Sequence, residues 1–260
     1  MSWLAAPALV IGIAGAQLGM SPDQQPTAML PPVAIIAISG AQILVCSIAL
    51  AVFCYRYGSL EDVLGMSRGD WVAGFPIGIK WFAMVVPALL GLQALLAQLV
   101  PYEHATMEHL QNHFEPLTIL ALWFSATVAA PLCEEFLFRG VFQGWLQRLG
   151  RGTTQHQDSI KEMLGGWPQE PTDDSLLVHT QSDSSTAMQF WWPILISSAI
   201  FAAVHIGQGA APVVLFFFGL ILGYLYRKTG SLVPAIVLHF LLNTFSMFWA
   251  TIELVSKTAA

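Results

Sequence analysis

Residues 117–148 read LTILALWFSATVAAPLCEEFLFRGVFQGWLQR. The stretch is apolar on both sides of two adjacent glutamates, Glu134 and Glu135, with Arg139 four residues after the second. About 20 apolar residues cross a bilayer as a helix. This block exceeds that length, so it must tilt, bend at Pro131 or protrude. Its charges stand in its second half, where a membrane-buried helix would carry none without a reason.

The rest of the chain agrees with a membrane reading. Of 260 residues, 55% are hydrophobic and only 10% are charged, against about 25% charged in a soluble domain. The pattern predicts an all-α, polytopic membrane helix bundle. Apolar runs and breakers place about seven transmembrane helices, near 3–20, 30–54, 71–99, 117–148, 190–206, 211–227 and 231–251. The first run has no Lys or Arg before it, which favours a retained span over a cleaved signal. Gly219 and Gly223 give the sixth run a small-residue packing face, as Gly15 and Gly19 do the first. Cys46, Cys54 and Cys133 all lie in apolar runs and are read as packing residues. The net charge of −6 forms no basic patch, so no nucleic acid partner is expected.

Orientation follows from the basic residues. Arg56 and Arg68 flank the second connection, Arg148, Arg151 and Lys161 follow the fourth span, and Arg227 and Lys228 follow the sixth. The alternate connections, 21–29, 100–116 and 207–210, hold no Lys or Arg. The positive side is the cytoplasmic one. Lys80, near the start of the third span, is expected to reach back to that face. Residues 149–189 are hydrophilic and lack periodicity, and read as a disordered or loosely folded cytoplasmic loop. The segment YEHATMEHLQNH, 102–113, holds three histidines, but reads as an exposed interfacial helix on the far side.

Ionisable groups within a span mark function by default. Here they are Lys80, Glu134, Glu135, Arg139, His205, His239 and Glu253, joined by the polar Asn243. Counted from the cytoplasmic ends at 1.5 Å per residue, Glu134 lies about 21 Å deep, His205 about 22 Å, His239 about 13 Å and Asn243 about 19 Å. Three helices thus place polar groups in one slab, somewhat past the midplane. Glu135 and Arg139 are spaced i, i+4 and can pair, while Glu134 points about 100° away. Phe201 with His205, and His239 with Asn243, repeat the same spacing. Each polar residue alone also has a packing explanation as helix–helix glue. A second buried carboxylate beside a paired one asks for a proton, a water or a metal.

The set supports hydrolysis in two ways. Glu134 can act as general base for water beside His205, with the His239 imidazole and the Asn243 amide as donors to an oxyanion. Alternatively Glu134, His205 and His239 can bind a divalent metal such as zinc, leaving a position for water. No His-Glu-x-x-His segment is present. A proton relay or transporter would also use buried Glu and His.

In order, Glu-Glu-x-x-x-Arg at 134–139, Phe-x-x-x-His at 201–205 and His-x-x-x-Asn at 239–243 resemble the motifs of the CAAX protease and bacteriocin-processing family, also called Abi or CPBP. The resemblance covers about 117–250; residues 1–116 carry no recognised motif, so 117–251 is the expected catalytic core, with the 149–189 loop as an insertion within it. It implies an intramembrane endopeptidase, often labelled a metalloprotease. Glu134 matches the water-activating residue assisted by His205, Glu135 and Arg139 the supporting pair, His239 and Asn243 the oxyanion pair, and Phe201 a residue lining the site. It implies no required cofactor in the glutamate–water scheme, or a divalent metal in the other. The implied partners are a peptide or membrane-protein substrate and the bilayer, and the implied location is the plasma membrane of a bacterium if the source is bacterial. The alternative is a catalytically silent immunity or scaffold protein with the same fold.

Overall fold

A computed structural model describes residues 32–59, 64–99, 116–149, 183–206 and 208–258. Among these, every regular element is helical. In chain order they are α1 (Pro32–Tyr57), α2 (Arg68–Ala97), the composite helix α3 over 116–149, α4 (Asp183–Ala203), α5 (Ala211–Thr229) and α6 (Val233–Thr258). Among the described residues four segments are long and apolar enough to cross a membrane: Arg68–Ala97, Ile119–Leu149, Ala211–Thr229 and Val233–Glu253. The apolar parts of α1 and α4, Ile43–Arg56 and Phe190–Ala203, are shorter. The expected first span and the 102–113 segment lie outside the described residues, so the described bundle has six helices, not seven. The 149–189 loop also lies outside except at its end, where α4 already begins at Asp183, seven residues before the expected span.

Local chemistry sets the helix ends. Ser67 caps α2 in a reciprocal box: its hydroxyl accepts from the Asp70 N–H at 3.2 Å, and its own N–H donates to Asp70 Oδ2 at 2.8 Å. α5 stops at Gly230, whose φ of 66° is the left-handed cap and whose N–H donates to Tyr226 O at 2.9 Å. α4 ends early because its last turn tightens. His205 N–H donates to Ala202 O and Ile206 N–H to Ala203 O, three residues back, so His205 sits in a turn just past the helix.

The turn at 64–66 locks two helix junctions together. The Ser231 hydroxyl donates to Gly65 O, and Leu232 N–H donates to Leu64 O at 3.1 Å. Leu64 then fills a core with Phe136, Leu232 and Ile236. Glycine is required at 65, where φ is 57° and a Cβ would meet Gly230 O. α2 lies against α6 through Gly74 and Gly78, facing Val233 and Val237. The fully buried side chains include Arg139, Glu135 and Phe201, whereas Leu44, Val45, Ile48, Val72, Phe75 and Ile79 are exposed. Charges inside and hydrocarbon outside is the arrangement a bilayer requires.

Candidate active site

α3 is not a uniform helix. α-Helical Pro116–Phe124 passes into a π-segment, Ser125–Ala129, then α-helical Ala130–Glu134, a second π-segment, Glu135–Gln143, and α-helical Gly144–Leu149. Pro131, where the sequence allowed a bend, stands between the two widened segments. Glu134 and Glu135 straddle the start of the second π-segment, and both are buried.

The predicted Glu135–Arg139 pair is present. Arg139 Nη1 donates to Glu135 Oε1 at 3.1 Å, and both side chains are fully buried. Arg139 Nη2 also donates to Gly219 O of α5 at 3.3 Å, and its guanidinium lies over the Phe201 ring, 4.5 Å from the centroid. The arginine is therefore held from three helices, and an aromatic face under a desolvated cation adds further attraction. One turn on, Gln143 Nε2 donates to Gly223 O at 3.0 Å. Two carbonyls of α5 thus accept from two side chains of α3.

Both glutamates face His239. Its Nδ1 lies 2.8 Å from Glu135 Oε1, and its Nε2 lies 3.8 Å from Glu134 Oε2. Glu135 accordingly serves two partners, Arg139 and His239, through one oxygen. A carboxylate on Nδ1 fixes the ring and turns Nε2 toward Glu134. Phe201 and Phe218 wall the imidazole edge-on, with centroids 6.1 and 5.2 Å away. His205 presents Nδ1 to Phe201 O at 2.6 Å. Its Nε2 is buried and without a hydrogen-bond partner among the described residues. Asn243 Nδ2 donates to Ala126 O at 2.8 Å.

The chain therefore brings Glu134, Glu135, Arg139, Phe201 and His239 into one contact network. His205 joins it through Phe201, with ring centroids 5.1 Å apart, and Glu134 lies within its electrostatic reach. Asn243 follows His239 by one turn but reaches the first π-segment. Among the described residues no three His, Cys, Asp or Glu side chains are grouped to hold a metal ion, so Glu134, His205 and His239 do not form a cage as they stand. Sequence reasoning missed Gln143, Ser197 and the carbonyls of Gly219 and Gly223. Glu135, Arg139 and Gln143 form an i, i+4, i+8 polar row, which was the available signal for the glutamine. Ser197, which donates to Phe138 O at 3.0 Å, had none.

The depth estimate also changes. Gly140 of α3 packs against Leu232, just before α6; a Cβ there would lie 3.5 Å from the leucine. The end of α3 thus projects past the start of α6, and counting from Arg148 overstates the depth. From the Gly140–Leu232 contact, Glu134 is six residues along one helix and His239 seven along the other, about 10 Å in both cases. The site sits nearer the basic end of the bundle than the sequence count implied.

The family model described as Rce1-like, type II CAAX prenyl endopeptidase Rce1-like, matches residues 116–163 and 175–245. Those ranges contain all seven predicted site residues. No curated protein and no solved structure matches the chain.

Proposed function

Because this chain belongs, through its region 116–245, to the Rce1-like family of type II CAAX prenyl endopeptidases, we propose that it hydrolyses a peptide bond within the membrane with a water activated by Glu134. The observation that carries this reading is the His239 ring held between two buried glutamates, Nδ1 on Glu135 and Nε2 facing Glu134.

In the proposed reaction, water sits between the Glu134 carboxylate and the open Nε2 of His205. Glu134 takes one proton as the water oxygen attacks the carbonyl carbon. The resulting oxyanion faces the second N–H of Asn243 and, when the ring is doubly protonated with Nδ1–H on Glu135, His239 Nε2–H. Glu134 then passes its proton to the departing amine, and the C–N bond breaks. Glu135 keeps His239 oriented, and Arg139 holds the Glu135 carboxyl group in place while it does so. The scheme uses carboxylate, imidazole and amide groups alone. The substrate we infer is a peptide segment at the membrane surface, with a lipidated CAAX-type C-terminus as the class the family name suggests.

The test compares membrane-associated peptides from cells carrying the native protein and Glu134→Gln, with and without a chelator. The expected outcome is a cleavage product that disappears in the variant, at unchanged protein abundance, and that persists with chelator. Normal cleavage by Glu134→Gln overturns the assignment. Loss on chelation with recovery on added zinc replaces the metal-free scheme with the metal one.

A further inference from the structure

We propose that Asn243 is also a positioning residue: its carboxamide supplies the hydrogen-bond donor that Pro131 lacks, and so holds the π-register that aims Glu134 and Glu135. This rests on reading the two glutamates as the reacting pair and its support.

In a regular α-helix the carbonyl of Ala126 accepts from the N–H four residues on, at Ala130. Ala130 N–H donates to Ser125 O instead, one residue further back. If that wider ladder continued, the donor to Ala126 O would be residue 131. Residue 131 is proline and has no N–H. Both regular donors are therefore lost to a carbonyl whose residue is only 2% exposed. A buried carbonyl without a partner is unfavourable, all the more so in a bilayer. Asn243 Nδ2 reaches it at 2.8 Å from α6.

The consequence falls on the acids downstream. A π-turn takes one extra residue, so it offsets everything after it by roughly 100° from an unbroken α-helix. Neighbouring residues differ by that same angle. With the first π-segment collapsed to α, Glu134 would come round toward the direction in which Glu135 now meets His239. The register thus decides which glutamate meets His239 Nδ1 and which faces Nε2. His239 and Asn243 stand one turn apart on α6, so one helix face receives the carboxylate and fixes the register that presents it.

A double-mutant cycle on the full chain in nanodiscs tests this, using Asn243→Ala, Pro131→Ala and the two combined. Two readouts that need no cleavage are taken: the melting temperature and the 15N resonance of His239 Nδ1. In the parent background Asn243→Ala is expected to lower Tm by about 4 °C and to shift the Nδ1 signal away from its carboxylate-bonded position. In the Pro131→Ala background, where residue 131 regains an N–H, the Tm loss is expected to be less than half as large. Equal losses in the two backgrounds overturn the proposal, as does an Nδ1 resonance that Asn243→Ala leaves in place. Should Asn243→Ala fail to accumulate, the double variant is expected to accumulate; its failure also overturns the idea. A positive cycle with no peptidase activity separates this inference from the reaction it serves.

Discussion

At the scale of single residues, the doubled glutamate resolves into two jobs. Glu135 is bound by Arg139 at 3.1 Å and His239 at 2.8 Å. Arg139 in turn is tied to α5 and covered by Phe201. Removing one member of such a buried pair leaves the other charge uncompensated, at a cost of about 3–5 kcal/mol. Arg139→Ala is therefore expected to reduce the monodisperse fraction in detergent sharply, whereas Glu134→Gln, which keeps the side chain's shape and leaves the Glu135–Arg139 pair intact, is expected to leave it near the parent value. Size-exclusion profiles of the two variants check this; matching profiles would show that the arginine carries no stability. The i, i+4 spacing made the pair legible in the sequence. The anchoring of His239 to Glu135 was not legible, because it depends on how α6 packs, which spacing on α3 cannot report.

At the scale of elements, close helix contact depends on where side chains are missing. Gly78 of α2 lies so near α6 that a Cβ would come within 2.6 Å of Val237 Cβ, a branched atom with no room to swing. Gly91, on the same helix, has nothing within 4 Å of its Cβ position. Gly78→Ala is thus expected to destabilise the bundle by about 1–3 kcal/mol through overpacking. Gly91→Ala is expected to be neutral or to stabilise by up to about 1 kcal/mol through helix propensity. Thermal unfolding in detergent ranks the two, and a larger loss at Gly91 would sink the packing account. The glycine pair on α5 was legible beforehand, and Gly219 and Gly223 do face Ser198, Ile194 and Gln143. The first π-segment of α3 was not legible, since the proposed support for it joins a proline on one helix to an amide donor on another, 112 positions apart in the chain. The same applies to the early end of α4, where a tight i→i−3 turn, not a loss of hydropathy, carries His205 out of the helix.

At the scale of the whole molecule, Arg56, Arg68, Arg227 and Lys228 gather at one end. Arg56 closes α1, Arg68 opens α2, and Arg227 and Lys228 close α5. The 64–66 turn bonds directly to the α5–α6 junction, so these termini meet in space. α3 joins them, because Gly144 lies near the Tyr226 hydroxyl and Gly140 near Leu64. Alternation of Lys and Arg along the sequence is thereby converted into a single charged face, and α6 runs away from it to Ser256 at the opposite end. By the positive-inside rule that face is the cytoplasmic one, and the buried site lies toward it, with His239 seven residues along α6 from Leu232. Lys228 and Ser256 are both exposed, so they report the two faces. Lys228→Cys is expected to react with a membrane-impermeant maleimide only in inside-out vesicles, and Ser256→Cys only in right-side-out vesicles, each measured above the parent's own cysteines. The opposite pattern would turn the molecule over and place the site toward the other leaflet. Labelling of both positions from one side would break the single crossing of α6 on which the orientation rests.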